Sequence, residues 1–400
     1  MLQGRRVVVA VCGSIAAYKA AEVVRGLTKG GADVRVVMTE SATKFVGPAT
    51  FAALTGEPVQ TDLFAEPERV IHVELGRWAE AYLVCGATAS TLERLARGSA
   101  EDIVGATYLM CRCPVVAAPA MHTEMWEHAS VQRNVDRLRS DGVTMVAPEV
   151  GDLASGDFGV GRLADVSAIV DEVSAVLTHK DLLGVRVLVT AGPTREPLDP
   201  VRFLSNRSTG LMGFSLAREA RGRGADVVVV AGPTSAPAPA GVELVRVETA
   251  EEMFAECIER FEGVDIAVLN AAVADFRPAN TAAQKVKKAK MGNSIELEST
   301  RDIAAELGRK KGRQTLVLFA AETESVIEHA SEKLGAKHAD VVVANTVGVR
   351  GSGFDSETND AAIVTANGVE QLPRLRKHEL AVLIWDRIVG AHADGLSKEQ

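Results

Sequence analysis

The chain has 400 residues, more than a single hydrophobic core usually serves, so two domains are expected. Its composition is 47% hydrophobic and 24% charged, that of an ordinary globular protein. A net charge of −9 leaves no basic footprint for nucleic acid or an anionic membrane.

No N-terminal segment combines a basic start, an apolar core and a small-residue cleavage site, so no leader is expected, and Met1–Arg6 runs into a strand expected at Arg6–Val11. A helix follows over Ile15–Lys29, stopped by Gly30-Gly31. Further strands are expected at Asp33–Met38, Ala81–Cys85, Pro114–Ala118 and Val143–Ala147, with helical patterns between them. Such alternation is the sign of a parallel sheet covered on both faces, and five strands make a flavodoxin-like or Rossmann-like sheet. Cys111-Arg-Cys113 could be half a metal site, but no His or Cys pair stands at a matching spacing. Pro148–Arg162 reads as a glycine-rich loop, and a helix near Val166–Thr178 closes this half.

A domain boundary is expected at His179–Gly184, dividing the chain into domains 1–180 and 181–400. A second βαβ series begins at Val185–Thr190, with strands at Val227–Ala231, Val264–Asn270, Thr315–Phe319 and Asp340–Ala344. Pro233–Gly241 is a loop within it. A strand pair around Ala361–Val369 and a helix near Lys377–Gly390 finish the chain. The fold class is therefore α/β, two domains, each a doubly wound, mostly parallel sheet. No apolar run is long enough to span a bilayer. The five scattered cysteines suit a reducing compartment better than a disulfide framework, so a cytoplasmic protein is expected.

Strand, Cys12-Gly13-Ser14, then helix places backbone N–H groups and a hydroxyl at a positive helix end, a cradle for phosphate. Alone, such a turn is often only a turn, and the Gly-x-Gly-x-x-Gly dinucleotide fingerprint is absent. Four words then follow in one order: Gly13-Ser-Ile-Ala-Ala-Tyr-Lys19, Ile71-His-Val-Glu-Leu-Gly76, Pro119-Ala-Met-His-Thr-Glu-Met-Trp126 and Gly156-Asp-Phe-Gly-Val-Gly-Arg162. Together they resemble the flavin-dependent cysteine decarboxylases, and specifically the decarboxylase half of the bifunctional coenzyme A biosynthesis enzymes. The resemblance implies FMN in a flavodoxin-like domain, its phosphate at Gly13, Ser14 and Ile15, with Ser41 and the turn Ala87, Thr88 and Ser90 lining the flavin. It implies His72 as the essential acid/base; unaided, a histidine at a helix start is more often a solvated cap. The flavin is needed because losing CO₂ from an ordinary cysteine amide would leave an unstabilised carbanion, and oxidising the thiol creates an electron sink beside the carboxylate.

This sequence departs from the family pattern at three places in that half. His122 stands where asparagine is common, Ser155 where many members carry a cysteine proton donor, and Gly86 where proline opens the flavin turn. His122 can donate a hydrogen bond to a carboxylate, as an amide would. Serine is a far weaker acid than a thiol, so the resemblance leaves the last proton donor open. His72, His122 and Ser155 are the catalytic candidates of the first half.

In the second half, Thr190-Ala-Gly-Pro-Thr-Arg-Glu-Pro-Leu-Asp-Pro-Val-Arg202 follows a strand and leads to Leu204-Ser-Asn-Arg-Ser-Thr-Gly-Leu-Met-Gly213 before a helix. Hydroxyl- and glycine-rich segments at strand ends can bind phosphate, or be loops with many caps. Asn270-Ala-Ala-Val-Ala-Asp-Phe-Arg-Pro278 and Phe319-Ala-Ala-Glu-Thr323 also end strands, where open α/β sheets bind ligands. The basic stretch Lys285, Lys287, Lys288 and Lys290 follows the first of these. Lys333 and Lys337 lie one helical turn apart and share a face.

These words resemble the phosphopantothenate–cysteine ligase half of the same family, from about Leu183 to Arg387, on a Rossmann-like domain. The resemblance implies CTP as co-substrate. Ala271, Asp275, Lys285, Asp302, Ile303, Phe319, Lys333 and Lys337 would contact it, and Asn206 would handle the acyl-cytidylate. Lys285 would also be catalytic, and Mg²⁺ would bridge the phosphates, with Asp275 as its contact. Thr209, Leu211 and Arg301 depart from the usual words. Homo-oligomers are implied too, trimeric through the flavin domains and dimeric through the ligase domains. Two other readings stay open: a paralogue acting on another cysteine adduct in secondary metabolism, and a working ligase joined to a non-catalytic flavin-binding scaffold.

Overall fold

The computed structural model describes residues 2–65, 68–287, 294–322, 324–346 and 358–397; Met1, Lys288, Lys290 and Thr323, singled out above, lie outside these. The chain folds as two compact units, Met1–Thr178 and His179–Gln400.

The first unit opens with β1 (Arg6–Val11), α1 (Ala17–Lys29), β2 (Asp33–Met38), α2 (Pro48–Thr55), α3 (Ile71–Trp78), β3 (Ala81–Ala87), α4 (Ala89–Arg97) and α5 (Ile103–Met110). It continues with β4 (Val115–Pro119), α6 (Thr123–Glu127), α7 (Ala129–Ser140), β5 (Thr144–Met145), β6 (Glu149–Asp152), β7 (Phe158–Arg162) and α8 (Val166–Leu177). The strands form a five-stranded sheet in the order β2-β1-β3-β4-β5 with parallel pairings throughout. Five of the six residues of β1 are buried, because alternate side chains enter two different cores. Val7, Val9 and Val11 pack with α1 and α8, whereas Val8 and Ala10 face α3, α4, α5 and α7. Helix α1 owes its docking to Ala17, Ala20, Val23, Val24 and Leu27, apolar at three- and four-residue spacing and all buried. Each of the larger three contributes about 1.5–3 kcal/mol by burial.

The glycine-rich segment expected to be a loop is instead an antiparallel hairpin, β6 against β7, with its turn closed by Leu153 N–H to Asp157 O and Gly156 N–H to Leu153 O. Glycine and polar residues mask the alternation that normally announces a hairpin, so the backbone ladder forms where no pattern signals it.

The second unit holds β8 (Arg186–Ala191), β9 (Arg195–Pro197), β10 (Phe203–Ser205), α9 (Leu211–Gly222), β11 (Asp226–Ala231), β12 (Glu243–Arg246), α10 (Ala250–Phe261) and β13 (Ile266–Leu269). Then come β14 (Phe276–Pro278), β15 (Leu297–Ser299), α11 (Ile303–Lys310), β16 (Thr315–Glu322), α12 (Val326–Ala336) and β17 (Val341–Thr346). The chain ends with β18 (Thr358–Asn359), β19 (Ala361–Thr365), β20 (Gly368–Gln371), β21 (Leu375–Arg376) and α13 (Lys377–Ser397), a helix longer than the sequence pattern suggested. The main sheet runs β12-β11-β8-β13-β16-β17-β19-β20, parallel except for the last two pairings. Its six parallel strands thus stand in sequence order 3-2-1-4-5-6, the order of a dinucleotide-binding sheet. One face packs on α9 and α13, the other on α10, α11 and α12. A capping box between Thr249 and Glu252 starts α10. Among the described residues no helix is long and apolar enough to cross a membrane.

Candidate active sites

In the first unit the strand order reverses between β1 and β3, and a crevice opens beyond the carboxyl ends of such strands. The sequence-predicted phosphate and flavin residues gather there. Gly13, Ser14 and Ile15 follow β1, Ser41 follows β2, Ala87 ends β3, and Thr88 and Ser90 open α4. Gly13 lies so close to Ser41 that a Cβ on it would fall 2.1 Å from the Ser41 hydroxyl, so only glycine fits. Ser14 Oγ donates to Gly86 O at 3.4 Å, joining the β1 and β3 turns. Helix α1 starts without a side-chain cap; its Ala17 and Lys19 N–H groups donate to Ser14 O and Ala16 O, at 3.0 and 2.9 Å, and its N-terminal end follows the Gly13-Ser14-Ile15 turn. By contrast α4 is capped, Thr88 Oγ1 accepting from Thr91 N–H at 3.2 Å. This cradle fits a phosphate-bearing flavin.

A cavity of about 420 Å³ adjoins α1, lined by Ser14, Tyr18 and Lys19 on one side and by Met121, His122, Ser155 and Arg162 on the other. The segment after β4 is clamped to the hairpin: Met121 N–H donates to Gly161 O at 3.0 Å. A Cβ at Gly161, whose φ is +146°, would stand 2.1 Å from Met121 O. This close approach carries His122 to the hairpin turn, where its Nε2 lies 2.9 Å from Ser155 Oγ and 3.1 Å from Asp157 Oδ2. Its Nδ1 bonds Glu124. Asp157, then Glu124, raise the His122 imidazole above its ordinary value. The Ser155 hydroxyl and His122 in turn hold Asp157 below the usual carboxylate range.

The structure thus unites His122 and Ser155, and adds Glu124 and Asp157, which sequence reasoning passed over although both stand inside the words that carry the resemblance. His72 is placed apart from that cavity lining, in the first turn of α3. It is partly buried, and its Nδ1 has no hydrogen-bond partner among the described residues.

In the second unit a cavity of about 790 Å³ sits at the carboxyl ends of β8, β13 and β16, at the point where that sheet reverses order. Asn206, Ala271, Asp275, Asp302, Ile303, Phe319, Lys333 and Lys337 all line it. Asn206 Nδ2 donates to Val273 O at 2.8 Å, which leaves the amide oxygen for another partner. Thr190 Oγ1 accepts from the N–H groups of Asn270 and Ala271 at 3.1 Å each and fixes the β13 turn. Lys337 Nζ lies 2.6 Å from Asp302 Oδ2. Burial opposes ionisation of Asp302, but Lys337, the Ala305 N–H and Lys333 together hold its carboxyl below the usual value. Two nucleotide candidates are therefore paired with each other. Arg207, also on the lining, was missed by sequence reasoning because it sits among capping residues.

Lys285 is exposed and does not line this cavity. Its neighbour Val286 is fastened: Val286 N–H donates to Asp199 Oδ2 at 3.1 Å and Val286 O accepts from Arg202 at 2.8 Å. Asp199 is buried and also accepts from Val201 and Arg202 N–H at 2.9 Å each. Among the described residues no group of three or more His, Cys, Asp or Glu side chains is placed to hold a metal ion. That donor set fits Mg²⁺ only in its common mode, bound through substrate phosphates and at most one carboxylate such as the exposed Asp275.

Residues 1–178 match the family described as Flavoprotein, and residues 182–391 the one described as DNA/pantothenate metabolism flavoprotein C-terminal domain. The coenzyme A biosynthesis bifunctional protein CoaBC of Mycobacterium tuberculosis (strain ATCC 25618 / H37Rv) is 44% identical over 404 residues, covering 97% of this chain and 96% of that protein. The proteins of the same name from Bacillus subtilis (strain 168) and Escherichia coli (strain K12) are 42% and 41% identical over 395 residues, with 97% of each chain covered in both cases.

Proposed function

The chain belongs to the family of bifunctional coenzyme A biosynthesis proteins, with a flavoprotein half and a ligase half, and from that premise we propose the division of labour between its two cavities. The second unit joins cysteine to 4′-phosphopantothenate at the expense of CTP, and the first decarboxylates the product to 4′-phosphopantetheine with FMN. The observation that carries this reading is the pair of cavities, the first lined by Ser14, Ile15, His122 and Ser155, the second by Asn206, Ala271, Asp275, Asp302, Ile303, Phe319, Lys333 and Lys337 at the order reversal of its sheet.

In the ligase half, a carboxylate cannot acylate an amine in water because its leaving group is poor. Attack of the phosphopantothenate carboxylate on the α-phosphorus of CTP releases pyrophosphate and gives an acyl-cytidylate; attack by the cysteine amine then releases CMP. Lys333 and Lys337 supply positive charge at the nucleotide, and the Asn206 amide oxygen faces the acyl group. Lys285, anchored through Val286, neutralises charge that develops on the phosphates. Asp275 is the carboxylate available to Mg²⁺.

In the flavin half, Gly13, Ser14 and Ile15 hold the phosphate, with Ser41, Ala87, Thr88 and Ser90 around the flavin. When bound, FMN supplies reversible two-electron chemistry at the thiol-bearing carbon, which makes loss of the neighbouring carboxylate feasible. His72 acts as acid/base, its unpaired Nδ1 giving it capacity for a further hydrogen bond. His122 meets the substrate carboxylate. The protein works in the cytoplasm as a homo-oligomer, trimeric through flavin units and dimeric through ligase units.

The test is mass spectrometry of protein incubated with phosphopantothenate, cysteine, CTP and Mg²⁺. 4′-Phosphopantetheine together with CMP and pyrophosphate is the expected result. Phosphopantothenoylcysteine alone would reduce the first unit to a flavin-holding scaffold, and no amide at all would point to a paralogue with another acyl substrate.

A further inference from the structure

Replacing a carboxylate by hydrogen consumes one proton. The bond from carbon to the carboxyl carbon breaks, its electron pair stays behind, CO₂ leaves, and a proton must arrive to form the new C–H bond. No thiol lines the cavity of the first unit: Cys12 and Cys85 are wholly buried, with thiols pushed up to about 12 by that burial, and neither is in the lining. The hairpin turn carries Ser155, whose hydroxyl is too weak an acid to release a proton unaided.

Beside Ser155 at the hairpin turn, the side chain that holds a transferable proton is His122. It occupies the N-cap position of α6, yet its ring caps nothing. Instead the ring spans from Glu124 on its own helix to the hairpin turn, where Nε2 meets Ser155 Oγ and Asp157. Two carboxylates, one at each ring nitrogen, favour the doubly protonated imidazolium. The other charged groups around the cavity are Lys19 on α1 and Asp152 and Arg162 on the hairpin. Of these, Arg162 is paired with Glu149 at 2.8 Å.

Resting on the decarboxylase reading above, we propose that His122, clamped between Glu124 and Asp157 with Ser155 at its Nε2, is the acid that delivers the proton consumed when CO₂ leaves. The proton passes from Nε2 to the substrate carbon, the N–H electron pair stays on nitrogen, and the neutral imidazole regains a proton from solvent. Ser155 and the two carboxylates are positioning residues: they hold Nε2 at the hairpin turn that borders the cavity and favour the charged ring. The raised imidazole value extends the charged form toward neutral pH, and the donor is lost as pH rises through that value.

Two measurements on the full-length flavin-bound protein test this. In the first, CO₂ release from phosphopantothenoylcysteine is followed against pH. His122→Gln is expected to lower release by about 10²-fold. Asp157→Asn is expected to move the alkaline limb of the profile to lower pH. In the second, ¹³C-histidine NMR follows the His122 ring, assigned by its loss in His122→Gln, without any turnover. The ring should titrate above the ordinary histidine value in the unsubstituted protein and lower in Asp157→Asn and Glu124→Gln. Undiminished CO₂ release by His122→Gln, or a ring that titrates at or below the ordinary value, would overturn the proposal alone. If the unsubstituted protein releases no CO₂, the decarboxylase reading itself falls, and this proposal with it.

Discussion

A buried ring nitrogen without a partner is costly, about 1–3 kcal/mol, unless a ligand supplies what the fold withholds. His72 presents such an atom at the start of α3. If it serves as acid/base, His72→Asn will abolish CO₂ release and leave amide formation intact, measured side by side in one assay. The second unit offers a comparable residue in Asp199, which Arg202 and three backbone N–H groups hold well below the usual carboxylate range. Because it tethers Val286, next to Lys285, Asp199→Asn should slow ligation by about tenfold to a hundredfold through misplacement. CO₂ release from supplied substrate should not change, and unaltered ligation kinetics would show that the tether has no part in catalysis. Motif words singled out His122 and Ser155, but not that a histidine and two acidic residues around a glycine turn would converge. Their meeting depends on hairpin register and on one close backbone approach, neither of which leaves a hydrophobic trace.

Among the elements, those buried on both faces were the legible ones. The strands at Arg6–Val11 and Asp33–Met38 have in the structure the bounds expected from their apolar, β-branched runs. Short ladders such as β9 with β10 and β14 with β15 were not foreseen, since three residues hold too little periodicity to register. The β6–β7 hairpin is the instructive failure, because it positions the proposed proton donor while looking like a loop. Its dependence on Gly161 can be tested. Gly161→Ala would push a methyl group against Met121 O and force a positive φ on alanine. The cost should be about 1–3 kcal/mol, read as earlier heat unfolding of the flavin unit. CO₂ release should fall as His122 and Ser155 part, with ligation unaffected.

At the scale of the molecule, each of the two sheets has cores of its own on both faces, so heating should give two transitions rather than one. Flavin nucleotide should raise only one of them, and CTP with Mg²⁺ only the other; calorimetry of the intact protein separates the two. In the sequence the βαβ series pauses and restarts near His179, a local pattern that needs no long-range contacts to read. The helix that begins without a cap has a consequence of its own. Helix α4 completes its first turn with Thr88, whereas α1 has no side-chain cap, and a bound flavin phosphate would supply acceptors there. A cofactor held there would be part of the fold, and mass action would set how much of the protein survives heat. At a concentration a hundred times its dissociation constant, a flavin with a phosphate should add about 2.7 kcal/mol of stability. Riboflavin, which lacks the phosphate, should give a much smaller rise in melting temperature, so the thermal endurance of the protein would track the supply of its own vitamin-derived ligand.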